Sequence, residues 1–446
     1  MRREVARRWI RACTAIGATA LFSMPSAARA APATTLTIAA HYNSAQVTPL
    51  LKCFKIYETI HPGIRIKYQQ ASYNDFLQTI LTSRASRSAA DIYNIYSVWA
   101  PQLISAGALD APPADVVSFV SGAYNRATTD AATLNGRVRG IPTALSIYQL
   151  VYNKKLLVAA GYNTPPKTWT ELERIGAAIT KKNRQGNILI GGYAYGPSAA
   201  NVVHAFYSQM YAAGVPPYAR DLRSTNLRSP AAVRILSQQS QLFRKGITSN
   251  SIAVRDFAAG AVGMAVLANW QRKTFASAFG SAFPDTVGVA PIPTDGPGGT
   301  MFYSFMWTVD SGSPSKRKAW DLLKWLSVAQ TEDGLSCTGA MLAGMGDLTG
   351  NKSDLAVMER SFTDAFTRQY VSALKSGGAA SQPNLWRQAE VDRVLQYYIE
   401  RAWAGQMTPT AALTAADAKI QSILNEQPAL RGSRSSTQQE PRKRLG

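Results

Sequence analysis

Between Thr35 and Tyr96 the apolar residues switch repeatedly between a period of two and one of about 3.6, which narrows what the chain can fold into. Thr35–Ala40 alternates as a strand. Val47, Leu50, Leu51, Phe54 and Tyr57 then fall on one helical face, and His61-Pro62-Gly63 closes that helix. Ile64, Ile66 and Tyr68 alternate again, Tyr73, Phe76, Leu77, Ile80 and Leu81 return to helical spacing, and Asp91–Tyr96 reads as a third strand. Strands separated by helices pair in parallel, because only a crossover of this length brings the chain back to the same sheet edge. The expected fold class is α/β.

The pattern restarts after residue 140. Ile147–Tyr152 reads as a strand, and Thr168 with Glu171 forms a T-x-x-E capping box opening a helix with Trp169, Leu172, Ile175 and Ile179 inward. Val262–Leu267, Val287–Ala290 and Met301–Val309 read as strands, Pro291–Gly299 as a loop, and Ser315–Ala329 as a helix. Later segments are helical, through Val391, Val394, Leu395, Tyr398 and Ala402 and then from Pro409 through Ile420, Ile423 and Leu424. With 446 residues, 46% of them hydrophobic, the chain has material for two or more cores.

The ends account for much of the formal charge of +21. Arg2, Arg3, Arg7, Arg8 and Arg11 precede a short apolar run, Ala12–Phe22, and an Ala28-Arg29-Ala30 cleavage site, the layout of a secretory signal over residues 1–30. That segment carries six arginines and one glutamate, while 431–446, a basic tail expected to be disordered, carries five basic residues and one glutamate. About +12 remains on roughly 400 residues, which gives nucleic acid no particular claim as partner. Export leaves Cys53 and Cys337 in an oxidising compartment, either joined in one disulfide or buried apart as thiols.

Several chemistries leave no mark. There is no G-x-S-x-G, G-x-x-x-x-G-K-[ST] or H-E-x-x-H, and His41, His61 and His204 are too scattered to suggest a metal site. No cofactor is implied, and the chain does not read as an enzyme. Aromatics speak more clearly. Tyr42, Tyr96, Trp99 and Trp270 stand where a strand gives way to a loop, and ligands of parallel α/β sheets bind outside the carboxyl ends of strands. An aromatic face there stacks on the C–H face of a sugar ring. Trp169, Trp320 and Trp325 lie on amphipathic helices and read as packing residues.

Five stretches carry a wider likeness: ADIYNIYSVWAPQLISAGALD (90–110), NGRVRGIPTALSIYQLVYNKKLLVAAGYNTPPKTWTEL (135–172), FAAGAVGMAVLANW (257–270), GGTMFYSFMWTVDSGSPSKRKAWDLLKWL (298–326) and AWAGQMTPTAAL (402–413). Together the chain resembles family 1 of the extracellular solute-binding proteins, the carbohydrate receptors of ABC importers, which include the maltodextrin-binding proteins. The likeness runs from about Leu36 to Leu424. It implies a periplasmic-binding-protein fold of two α/β lobes, 31–142 plus 300–340 and 143–299 plus 341–430, joined by a multi-strand hinge that closes on a ligand. Cys53 and Cys337 then share the first lobe, which favours their pairing. The resemblance implies a soluble periplasmic monomer that hands a sugar to a membrane permease. It places Tyr42, Asn43, Tyr96, Ser97, Trp99, Ser146, Tyr148, Trp270, Tyr303 and Trp386 in the cleft, with Trp270 as the stacking platform. Maltodextrin receptors carry charged residues at positions that here read Val98, Trp99 and Ser146, which points to a different sugar. Three other readings are an anionic sugar derivative such as glycerol phosphate, with Arg272 as its cation; a secreted hydrolase with two acids across a cleft; and a polyanion binder with a basic face.

Overall fold

The computed structural model describes residues 33–86, 88–361 and 364–427; the expected signal (1–30) and basic tail (431–446) lie outside them. The first strands and helices follow the periodicity closely. Strand β1 (Thr34–Ala40) leads through α1 (Thr48–Ile60) to β2 (Ile64–Gln70), then through α2 (Phe76–Ala85) to β3 (Ile92–Tyr96). β1 lies between β2 and β3, parallel to both. Tyr73 falls outside α2, in the turn before it, so its helical spacing with Phe76 and Ile80 is coincidental.

The strand expected at Ile147–Tyr152 is the back part of a longer one, β4 (Ile141–Asn153), 13 residues long and buried except at Tyr152. Its front part was hidden by Pro142, which reads as a strand breaker. The structure accommodates Pro142 at a register shift against β8 (Thr300–Val309), where a bulge spares the missing N–H. Gly140 lets the two strands meet, since a Cβ there would lie 2.5 Å from the Trp307 carbonyl oxygen. β5 (Ile188–Tyr193) escapes the sequence pattern because Gly191 and Gly192 interrupt it. Gly192 presses on the helix Trp169–Ile179, where a Cβ would meet Gly176 O at 2.0 Å. That helix opens with the expected Thr168–Glu171 capping box.

With β6 (Val262–Ala268) and β7 (Val287–Ala290), these strands form one curled sheet in the order β2-β1-β3-β8-β4-β6-β5, with β7 also on β4. β4 belongs to both halves. Ile141–Ile147 pairs with β8, and Tyr148–Tyr152 pairs with β6. Two α/β halves, each with helices on its sheet, are thereby joined through crossing strands.

Side-chain alternation divides the interior into two cores. Ile147, Val151, Ala265 and Leu267 face one core; Tyr148, Leu150, Met264, Val266 and Ala268 face the other. The first core continues under α1 and the helix Lys316–Leu326, where Leu322, Leu323 and Leu326 are fully buried and each contributes roughly 1.5–3 kcal/mol. The second is covered by the helices Ala199–Ala212, Pro230–Arg244, Gln388–Trp403 and Pro409–Asn425. Cys53 on α1 is disulfide-bonded to Cys337, with Cα atoms 6.1 Å apart. Cys337 opens the helix Cys337–Met345, whose buried side chains pack into the first core; a boundary at residue 340 would cut it.

Candidate functional site

A cleft of about 570 Å³ opens where the carboxyl ends of β1 and β6 face each other across β4 and β8. Its size suits a small ligand. His41 and Tyr42 reach it directly after β1, and Trp270 directly after β6, one residue before the helix Gln271–Phe279. Ser146 on β4 and Tyr303 on β8 are cross-strand partners, so the pleat aims both at the cleft. Phe305, two residues on, lines the same face of β8.

The aromatic wall is continuous. Phe305 stacks on Tyr96 at 5.3 Å between ring centroids and lies 4.8 Å from His41. Tyr73 sits 5.4 Å from both His41 and Trp99. Tyr96 meets Tyr303 edge-on at 5.3 Å. Such faces offer apolar area at little conformational cost.

Polar atoms on this wall lack partners. His41 Nδ1, Tyr42 Oη and Trp270 Nε1 are buried without hydrogen bonds; the Trp270 indole sits beside the Tyr303 hydroxyl but in poor geometry for one. These are three of the buried polar groups left unpaired among the described residues, and since such groups are usually paired, a polar ligand in this cleft could satisfy them. Burial lowers His41 to about 4, so its ring is neutral at ordinary pH, and burial likewise raises the Tyr42 and Tyr303 hydroxyls, with Asp347 adding to both.

Asp347 is the carboxylate in the lining. Its Oδ1 accepts from Asn269 Nδ2 at 2.7 Å and from the Leu348 amide at 3.0 Å, and burial pushes its pKa up to about 7 against those two hydrogen bonds. Lys273 lines the outer part of the cleft, with Nζ donating to the Gly344 carbonyl at 2.9 Å. Among the described residues no group of three His, Cys, Asp or Glu is placed to hold a metal ion.

The expected residues separate into three sets. Tyr42, Ser146, Trp270 and Tyr303 line the cleft. Tyr96, Ser97, Trp99 and Tyr148 form a buried layer behind it: Tyr96 Oη donates to Gln382 Oε1, Tyr148 Oη is bonded to His204 Nδ1 at 2.9 Å, and Ser97 and Trp99 share a short 3₁₀ turn. Asn43 and Trp386 stand elsewhere. Asn43 is exposed and locks the turn before α1 through reciprocal bonds with Gln46, and Trp386 packs on the second core. Arg272 is also displaced from the expected role, because its guanidinium clasps Asp364 at 2.6 and 3.0 Å and leans over the Phe283 ring.

His41, Tyr73, Phe305, Lys273 and Asp347 were not anticipated. Alternation from Tyr303 would have found Phe305, and His41 adjoins Tyr42. Asp347 carries no local signal, since it lies in the link after the helix Cys337–Met345.

The profile of the bacterial extracellular solute-binding proteins matches residues 45–332. A relative from Brucella abortus (strain 2308), named only as a binding protein, is 24% identical over 387 residues, covering 83% of this chain and 89% of its own. A relative from Deinococcus radiodurans, named a probable ABC transporter-binding protein, is 26% identical over 257 residues, 56% of this chain and 60% of its own. The crystal structure of the cyclic alpha-maltosyl-1,6-maltose binding protein from Arthrobacter globiformis superposes with a TM-score of 0.72 at 22% identity, covering 88% of this chain and 99% of that one. The fold is therefore the two-lobed one of the maltose-binding proteins.

Proposed function

The chain belongs to the bacterial extracellular solute-binding proteins, and from that footing we propose that it is the exported receptor of an ABC importer, closing on a sugar or short oligosaccharide and passing it unchanged to a membrane permease. The observation that carries this reading is the convergence, in one cleft between the halves, of aromatic rings with three buried polar atoms that have no partner among the described residues. A saccharide presents that combination in reverse: C–H faces for the rings and hydroxyls for the polar atoms.

Tyr42, Trp270 and Tyr303 would hold the ring faces and Ser146 a hydroxyl. β4, which pairs with strands of both halves, and its neighbour β8 would be the hinge. Closure is favoured by as much as the ligand binds the closed form better than the open one. The names of a relative, a probable ABC transporter-binding protein, and of a structural neighbour, a cyclic alpha-maltosyl-1,6-maltose binding protein, support the same reading. A hydrolase would need a second acid across the cleft from Asp347, and among the described residues Asp347 is the acid in the lining. The anionic-ligand reading loses its cation to the Arg272–Asp364 pair.

The test is a thermal-shift screen of the purified chain against neutral, amino and acidic sugars and glycerol phosphates. A saccharide that binds raises the melting temperature in proportion to ln(1 + [L]/Kd) and is recovered intact by mass spectrometry. No shift with any sugar, or turnover of the one that binds, refutes the proposal.

A further inference from the structure

We propose that the saccharide this cleft selects carries a protonated amine, placed against the Asp347 carboxylate; the inference rests on the sugar-receptor reading and narrows it. Asp347 lines the cleft and is 7% exposed, and both hydrogen bonds it receives go to Oδ1, which leaves Oδ2 to accept from a ligand. Arg272, on the helix beside the cleft, and Lys273, in its lining, are engaged with other groups. Arg272 pairs with Asp364, and Lys273 Nζ donates to the Gly344 carbonyl. A buried carboxylate without a counter-charge is costly, and an ammonium supplies the charge-assisted hydrogen bond that offsets this cost.

The rest of the lining agrees. Trp270, Tyr303, Tyr42 and Phe305 put aromatic rings in the lining, and π-systems attract a cation as well as stacking on sugar C–H groups. The Tyr42 hydroxyl, 4% exposed and unpartnered, can accept from the ligand. A neutral sugar can donate a hydroxyl to Asp347 but leaves its charge uncompensated, and an acidic sugar is repelled by it. The expected order of affinity is amino, then neutral, then acidic.

Titration calorimetry of the exported chain at pH 7.5 against matched sets decides the matter: glucosamine, glucose and glucuronate; galactosamine, galactose and galacturonate; and the β-1,4 glucosamine dimer beside cellobiose. The amine should bind at least tenfold more tightly than its neutral counterpart in one set, and Asp347→Asn should bring that ratio close to one. Should the variant fail to fold, the wild-type ratios decide alone. Neutral sugars binding as well as or better than amines overturns this inference while the sugar-receptor reading stands, and so does an amine preference that survives in Asp347→Asn. Binding of no sugar in any set overturns this inference, and the sugar-receptor reading falls with it when the wider thermal-shift screen is blank as well.

Discussion

The Asn269 side-chain amide donates to Asp347 Oδ1 at 2.7 Å while its own carbonyl oxygen accepts the Ile147 amide, also at 2.7 Å. One side chain, 2% exposed, thus ties the end of β6, the crossing strand β4 and the carboxylate of the cleft. Asn269→Ala removes the acceptor of the buried Ile147 amide and one of the two hydrogen bonds to the buried Asp347 carboxylate, which keeps the one from Leu348. The expected loss is about 2–4 kcal/mol, read from the urea midpoint, together with weaker ligand binding. An unchanged midpoint would show that water replaces both bonds.

Trp270→Ala should weaken binding of the cognate sugar roughly tenfold or more, because it removes a ring face from the cleft. The melting temperature should drop little, since Trp270 is only partly buried. Affinity unchanged in calorimetry would remove Trp270 from the site.

The pH dependence of stability separates Asp347 from its surroundings. Burial raises its carboxyl from 3.8 to about 7, so between those values the folded protein holds a proton that the unfolded chain releases, and stability rises as pH falls. Asp392, also raised to about 7, acts in the same direction. His41 and His204 oppose them: burial lowers them from 6.5 to about 4 and about 3, so their neutral forms lose stability as pH falls below 6.5. The overall profile is therefore uninformative, and the difference between wild type and Asp347→Asn is the useful quantity. Wild type should gain on the variant as pH falls from 8 to 5. The groups facing Asp347 are the Asn269 and Leu348 amides and the Tyr42 and Tyr303 hydroxyls, none of which changes charge in that range.

The Cys53–Cys337 bridge spans 284 residues of sequence. Replacing both cysteines by serine should cost about 2–5 kcal/mol. Reductant should lower the melting temperature of wild type and leave that of the double variant unmoved.

Much of the architecture was legible because it is local. β1, β2, β3, β6 and β7, the capped helix Trp169–Ile179 and the last helices follow from apolar period, caps and turn residues. The misses share a cause. The front of β4 and all of β5 carry proline or glycine that local rules read as breaks, while the sheet uses them at a bulge and at close backbone contacts. Within the site, Tyr42 and Trp270 were legible because each follows a strand whose carboxyl end could be read. Asn43 and Trp386 looked equivalent in sequence but point into a turn and a core.

The sequence by itself determined the α/β class, the family and the aromatic character of the cleft, since these reside in periodicity, ordered motifs and composition. Only the tertiary structure decided which aromatics reach the cleft, that Arg272 is held by Asp364, and that Asp347 stands in the lining without a paired cation among the described residues. The physical reason is range. Strands and helices are specified by neighbours a few residues apart, whereas charge compensation and hydrogen-bond saturation depend on groups brought together across the chain, as Asn269 is to Asp347.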